Sequence, residues 1–209
     1  GDTPAGGADF SAADTGIVEW FGRFSLSIAG SGTGTTIHRL ARAQSGITAS
    51  SWARAGYTFY RGTTNAYQLD FAKTIEIEFA PVVVDASTAA GKIWLGWGIS
   101  TNGVDPTDKF IGFRIDNLAV KGIYHNGTTL TTVDLVTTLT AGALYRLRVK
   151  FTAATNVEWW ISGTSKGTST TNLPTGTYNY GAILIMVANG ADAVNVDAHM
   201  NRCWYSHGY

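Results

Sequence analysis

The 209-residue sequence predicts an all-β domain, a two-sheet antiparallel sandwich or a barrel. Three observations carry this. Runs such as "TIEIEF" alternate at the period of a half-buried strand, with Ile75, Ile77 and Phe79 set against Thr74, Glu76 and Glu78. Turn chemistry rich in Gly, Asn, Ser and Thr separates each run from the next. Almost no stretch keeps a helical period for the length of a helix, and no fixed repeat points to a propeller or solenoid.

Residues 1–16 hold a single aromatic, Phe10, among Gly, Ala, Asp and Thr, which is the composition of an arm, and residues 17–209 read as one domain. "GIVEWFGRFSLSIAG" is a strand-like run that ends in a Gly/Ser/Thr loop. "IHRLARAQSG" has a short helical look, and "AGYTFYRG" alternates aromatic and small residues as a strand does. From Thr74 the strands come closely: "TIEIEFAPVVV", "GKIWLGWGIS" and, past the turn-rich "TNGVDPTDK", "KFIGFRID". Asn126-Gly127 between two extended runs is the preference of a type I′ hairpin. In "LYRLRVKF", Tyr145, Leu147, Val149 and Phe151 alternate with Arg146, Arg148 and Lys150, whose basic side chains form a solvated face. "NVEWWIS" follows, and a Gly-Thr-Ser-Lys-Gly turn leads into "TSTTNLP". "YGAILIMVA" is apolar enough to be buried on both faces, and "VNVDAHMNRCWY" reads as a terminal strand.

Fifteen basic and fifteen acidic residues cancel, and charged residues are 14% of the chain, against roughly a quarter in an average soluble protein. The surface is therefore neutral and polar. It lacks the clustered Lys and Arg that nucleic acid selects through counterion release, and it suits contact with other protein or with a neutral glycan. Cys203 is the sole cysteine, so no intrachain disulfide forms, and it is expected to be a small buried apolar residue. No apolar run approaches the ~18 residues of a membrane span, and the first residues lack a basic segment leading into an apolar one. Neither nucleic acid nor membrane is an expected partner. The chain begins at Gly1, as a processed product or a fragment would.

From Thr74 to Pro174 the order of segments resembles the concanavalin A-like, laminin-G-like jelly roll: "TIEIEFAP", then "KIWLGWGIS", "FIGFRI", a hairpin, and the pair "LTAGALYRLRVKF" and "VEWWISGTSKG". Trp160-Ile161-Ser162-Gly163 stands where the family carries a tyrosine-valine-aspartate-glycine strand end. The pairing of the "LYRL" strand with a Trp-rich strand, a Gly turn and a "TNLP" exit is also similar to modules of phage virion proteins. The resemblance covers about half of the chain and implies a jelly-roll sandwich, a fold that carries lectins, hydrolases, lyases and structural domains alike.

Laminarinase-like hydrolases of that fold place alternating carboxylates on a strand, one of them the nucleophile of a retaining mechanism. Here Thr74 stands at the nucleophile's place, and threonine forms no such glycosyl ester, so Glu76 and Glu78 are expected to be the wet face of an amphipathic strand and the protein not to be an enzyme. His199, Cys203 and His207 lie four apart, which on a strand spreads neighbours by about 13 Å, too far for one Zn²⁺. Asn102, Asp105 and Asp108 offer hard oxygen donors of the kind Ca²⁺ accepts, but a turn rich in Asp and Asn that starts at Pro106 accounts for them. No cofactor and no metal site is expected.

Two tryptophans adjoin in "VEWWISG", and successive side chains on a strand face opposite ways. Val157, Trp159 and Ile161 form the core face, which turns Glu158, Trp160 and Ser162 outward. An outward Trp stacks on a sugar ring, fills a protein interface or is covered by a loop. Trp160, Glu158 and, in the arm, Phe10 are the candidate contact residues. The main expectation is a non-enzymatic structural protein located in the virion, a capsid decoration or tail-associated module that packs against other virion proteins and copies of itself. The alternative is a lectin-like carbohydrate-binding module, such as a tail-fibre receptor-binding domain, that takes a neutral glycan.

Overall fold

The computed structural model describes residues 8–12, 17–20, 27–28, 41–58, 69–85, 89–98, 103–178 and 182–207. Among them there is no helix, and so none long and apolar enough to cross a membrane. The strands are β1 (Ala8–Ala12), β2 (Ile17–Trp20), β3 (Ser27–Ile28), β4 (Ala41–Gln44), β5 (Trp52–Thr58), β6 (Leu69–Asp70), β7 (Ile75–Asp85), β8 (Lys92–Gly98), β9 (Phe110–Asp116), β10 (Ala119–His125), β11 (Leu130–Thr138), β12 (Leu147–Thr152), β13 (Asn156–Ile161), β14 (Thr164–Ser169), β15 (Thr177–Tyr178), β16 (Ala182–Ala188) and β17 (Asp197–His207). They form a seven-stranded sheet, β1-β5-β16-β8-β9-β10-β11, an eight-stranded sheet, β14-β13-β12-β7-β17-β4-β2-β3, and a two-stranded ribbon of β6 and β15. All the pairings are antiparallel.

Strands β8 to β11 follow one another as a meander in one sheet, and β12 to β14 do so in the other. The last two strands insert instead: β16 lies between β5 and β8, and β17 between β7 and β4. Alternation decides which faces meet. Ile75, Ile77 and Phe79 of β7 and Leu147, Val149 and Phe151 of β12 pack against Ile93, Leu95 and Trp97 of β8 and Ile111, Phe113 and Ile115 of β9. In β7 and β12 the alternate positions carry Glu76, Glu78, Arg148 and Lys150, which face away from this layer.

Trp159 is fully buried at the centre of this layer. Its ring stacks on Tyr124 of the facing sheet, with centroids 6.1 Å apart, and its Nε1 donates to the Gly112 carbonyl at 2.9 Å. A Cβ at Gly122 would stand 2.4 Å from the ring, so the close approach requires glycine there. A second apolar cluster, Trp94, Phe110, Ile123, Met186 and Ala188, with Trp52 and Leu130 against it, lies on the other face of the seven-stranded sheet.

Several local expectations are corrected. The Asn126-Gly127 hairpin exists but is not type I′: Gly127 takes positive φ and Asn126 does not, and the Asn126 Oδ1 accepts from the backbone N–H of both Thr128 and Thr129 at 2.8 Å, closing a four-residue loop. Among the described residues, the two-residue turns with positive φ at both positions are Asn117–Leu118 (44° and 70°) and Ser162–Gly163 (49° and 85°). Leu118 holds this unfavourable backbone while its side chain packs on the core. The expected turn after Gly163 is strand β14, its register to β13 broken by a bulge where Lys166 is the extra residue; a lysine at such an edge discourages further pairing. The short helical look around Arg42 gives way to β4, because Ala41–Gln44 completes ladders to both β17 and β2. Within the expected arm, residues 8–12 form edge strand β1 on β5, and the rest of 1–16 lies outside the described residues.

Trp159→Ala is expected to cost about 3–5 kcal/mol, as deletion of a large buried aromatic does. Trp160→Ala, on the outer face, should cost under ~1 kcal/mol. Paired urea denaturation curves measure both, and the reverse ranking would contradict this register.

Candidate functional site

The site is built on the solvent face of the eight-stranded sheet. Ladder register sets Ser165, Trp160, Arg148, Glu78 and Trp204 in one row across β14, β13, β12, β7 and β17. The next row holds Thr168, Glu158, Lys150 and Glu76. Directly opposed residues share a face, so these side chains project together.

Trp160 is half-buried and Trp159 buried, as the alternation requires. The Arg148 guanidinium carbon lies 4.6 Å from the Trp160 ring centroid, over one face of the ring. Arg148 Nε is also 2.5 Å from Glu76 Oε1. Arg146 grips Glu78 through Nε at 3.0 Å and Nη2 at 2.9 Å to each carboxylate oxygen. The expected wet face of β7 and β12 is thus a cross-strand set of two guanidinium–carboxylate pairs. Glu158 accepts from the Ser165 hydroxyl at 3.2 Å and stands beside Trp160. Trp204, 42% exposed, ends the row on the far side of Glu78. This arrangement offers flat aromatic area, oriented donors and oriented acceptors, the elements that hold a sugar's ring face and hydroxyls.

Of the expected contact residues, Trp160 and Glu158 come together here. Phe10 does not join them: its backbone pairs with Ala55 in the other sheet, and its side chain lies outside the described residues. Sequence reading passed over Trp204, which local alternation turns outward but only the β7–β17 register sets opposite Glu78.

Of the other candidate donors, Asp105, Asp108 and His199 engage partners within the protein, and the side chain of His207 lies outside the described residues. Asp105 accepts from Trp94 Nε1 at 2.9 Å and from Arg114 Nη1 at 2.8 Å. Burial disfavours its charged form, but these partners outweigh burial and hold its carboxyl below the usual carboxylate range. Asp108 accepts from the Lys109 N–H, and Asn102 lies outside the described residues. Among the described residues no group of three or more His, Cys, Asp and Glu is placed to hold a metal. Burial pushes the Cys203 thiol up to about 12, and His199 sits 3.3 Å from Asp197, itself bound bidentately by Arg42.

A family profile described as "SO2946-like, C-terminal domain" matches residues 40–197. Among solved structures, the chain is similar to a protein of unknown function, SO2946 from Shewanella oneidensis MR-1, at 13% identity and a TM-score of 0.62 over 96% of this chain and 78% of that one. It is similar to a family 7 alginate lyase in complex with substrate at 13% identity and 0.59, over 93% of each. It is also similar to the carbohydrate recognition domain of Emp47p at 12% identity and 0.57, over 96% of this chain and 97% of that one. No curated protein matches the sequence. At these identities the likeness is one of fold, the concanavalin A-like jelly-roll sandwich, and nothing in it links the chain to phage virion proteins.

His125, buried beside the β10–β11 hairpin, accepts the Gly127 N–H through Nδ1 at 3.0 Å. Burial lowers its pKa, opposed in part by the charge of Asp108. With the folded value below the unfolded one, the unfolded chain binds the proton first, so this contribution is complete above about pH 6.5 and is lost as pH falls below it. The thermal midpoint should therefore drop between pH 7.5 and 5. The drop should shrink in His125→Asn, whose Oδ1 can still accept from Gly127; an unchanged drop would contradict the assignment.

Proposed function

We propose that this chain, which belongs to the SO2946-like, C-terminal domain family, is a carbohydrate-binding module without catalytic activity, its site the Trp160 face of the eight-stranded sheet. One observation carries the reading: Trp160 is turned to solvent with Arg148 over one face of its ring and the Glu158–Ser165 pair beside it. A sugar ring stacks on the indole while its hydroxyls donate to Glu158 and accept from the charged and hydroxyl donors beside it. The carbohydrate recognition domain among the similar structures supports it. The absence of catalysis is argued from Glu76 and Glu78, each held by its own arginine, and from the threonine at position 74.

A second reading, docking on another protein, is favoured by a different feature. Ile47 and Val194, on loops joined by the Ser45–Val196 backbone bond, and Leu144 and Val84, around the Val82–Leu144 bridge, are exposed at one end of the sandwich. This is what the virion-packing expectation retains. Concentration-dependent sedimentation that Leu144→Ser abolishes would support it.

Glycan binding is tested by titrating neutral oligosaccharides against the protein's tryptophan fluorescence. Trp160→Ala should weaken binding at least about tenfold, ~1.4 kcal/mol, with the thermal midpoint nearly unchanged. Trp52→Ala, on the other sheet, should bind as wild type, and no chain cleavage should appear. Unaltered binding by Trp160→Ala would sink the site.

A further inference from the structure

We infer that the site runs across the strands from Trp160 to Trp204 and takes a linear, neutral oligosaccharide long enough to lie on both rings, an inference that rests on the glycan reading above. The two tryptophans stand in one transverse row with Arg148 and Glu78 between them. Three strand spacings separate their backbones, about 14 Å at ~4.8 Å each. One pyranose ring is much shorter than that, so a monosaccharide touches one tryptophan and a chain of several units reaches both.

The floor between the rings determines the charge of the ligand. Arg148 is matched by Glu76 and Arg146 by Glu78, while Lys150 and Glu158 stand opposite each other in register. Arg146 and Arg148 each already face a carboxylate, so between the rings an anionic chain would have to displace an acid and a cationic chain a base. A neutral hydroxylated chain needs neither. It can accept from Arg146, whose side chain is 66% exposed, and donate to carboxylate oxygens already fixed in place. Because the floor is ordered before binding, little side-chain freedom is lost when the ligand docks.

Isothermal titration with β-1,4-linked gluco-, xylo- and manno-oligosaccharides, as disaccharides, tetrasaccharides and hexasaccharides, tests this, with alginate hexasaccharide as the anionic probe. For at least one series, the longer chains should bind at least about tenfold tighter than the disaccharide. Trp204→Ala should remove that gain; Trp204→Phe should restore part of it; Trp160→Ala should weaken every length. Affinity that does not change with length, a Trp204→Ala protein that keeps the full gain, or tighter binding of alginate would overturn this inference while the single-ring site stands. Failure of every neutral oligosaccharide to bind would overturn both.

Discussion

Trp159 ties the two sheets together, and much of the molecule's geometry answers to it. An indole crosses the interlayer only if the facing strand yields space, which Gly122 does by lacking a side chain, and only if its N–H finds a partner, which the Gly112 carbonyl supplies. With that ring inside, strand geometry leaves Trp160 no choice but the outer face. One strand thus delivers both the pin that unites the layers and the ring that meets a ligand. The rigidity of the first is what positions the second, since a side chain on a packed strand is held more firmly than one on a loop.

The same face shows how a chain poor in charge uses the charges it has. Arg146 with Glu78 and Arg148 with Glu76 are partly exposed pairs, of the kind that contributes little to stability, a few tenths to about 1 kcal/mol each. Their effect is on orientation: a guanidinium fixed by a carboxylate presents its remaining N–H groups in known directions, and the one over Trp160 also restrains the ring. The seven-stranded sheet treats its outer side differently. There Trp94 is buried and its N–H, with Arg114, engages Asp105, so an aromatic of equal size offers nothing to solvent.

The fold class, the facing of the Val157–Ile161 strand and the amphipathic character of β7 and β12 were legible because each depends on residues two apart along one segment. What could not be read depends on residues far apart. Trp204 meets the row of Trp160 only through the β7–β17 ladder, and Arg42 reaches Asp197 across most of the chain. The hairpin at Asn126 misled for a local reason: Asn-Gly favours a tight turn, but the asparagine side chain capping two backbone N–H groups stabilised a longer loop instead. Strand β14 was hidden because Thr, Ser and Gly read as turn chemistry, and its strand state is imposed by the neighbouring ladder.

The placement of β16 and β17 has a bearing on how such a chain is made. Each is late in sequence, yet each fills an interior slot, β16 between β5 and β8 and β17 between β7 and β4. Until residues 182–207 have been synthesised, each sheet lacks an interior strand, and the ladder edges of β5, β8, β7 and β4 wait unpaired. Pairings of such long sequence separation form slowly, and waiting edges are the surfaces through which nascent chains aggregate. During translation the protein is therefore most exposed just before its final strands emerge, and a product stopped short of them would be a client for chaperones and proteases, with neither sheet complete.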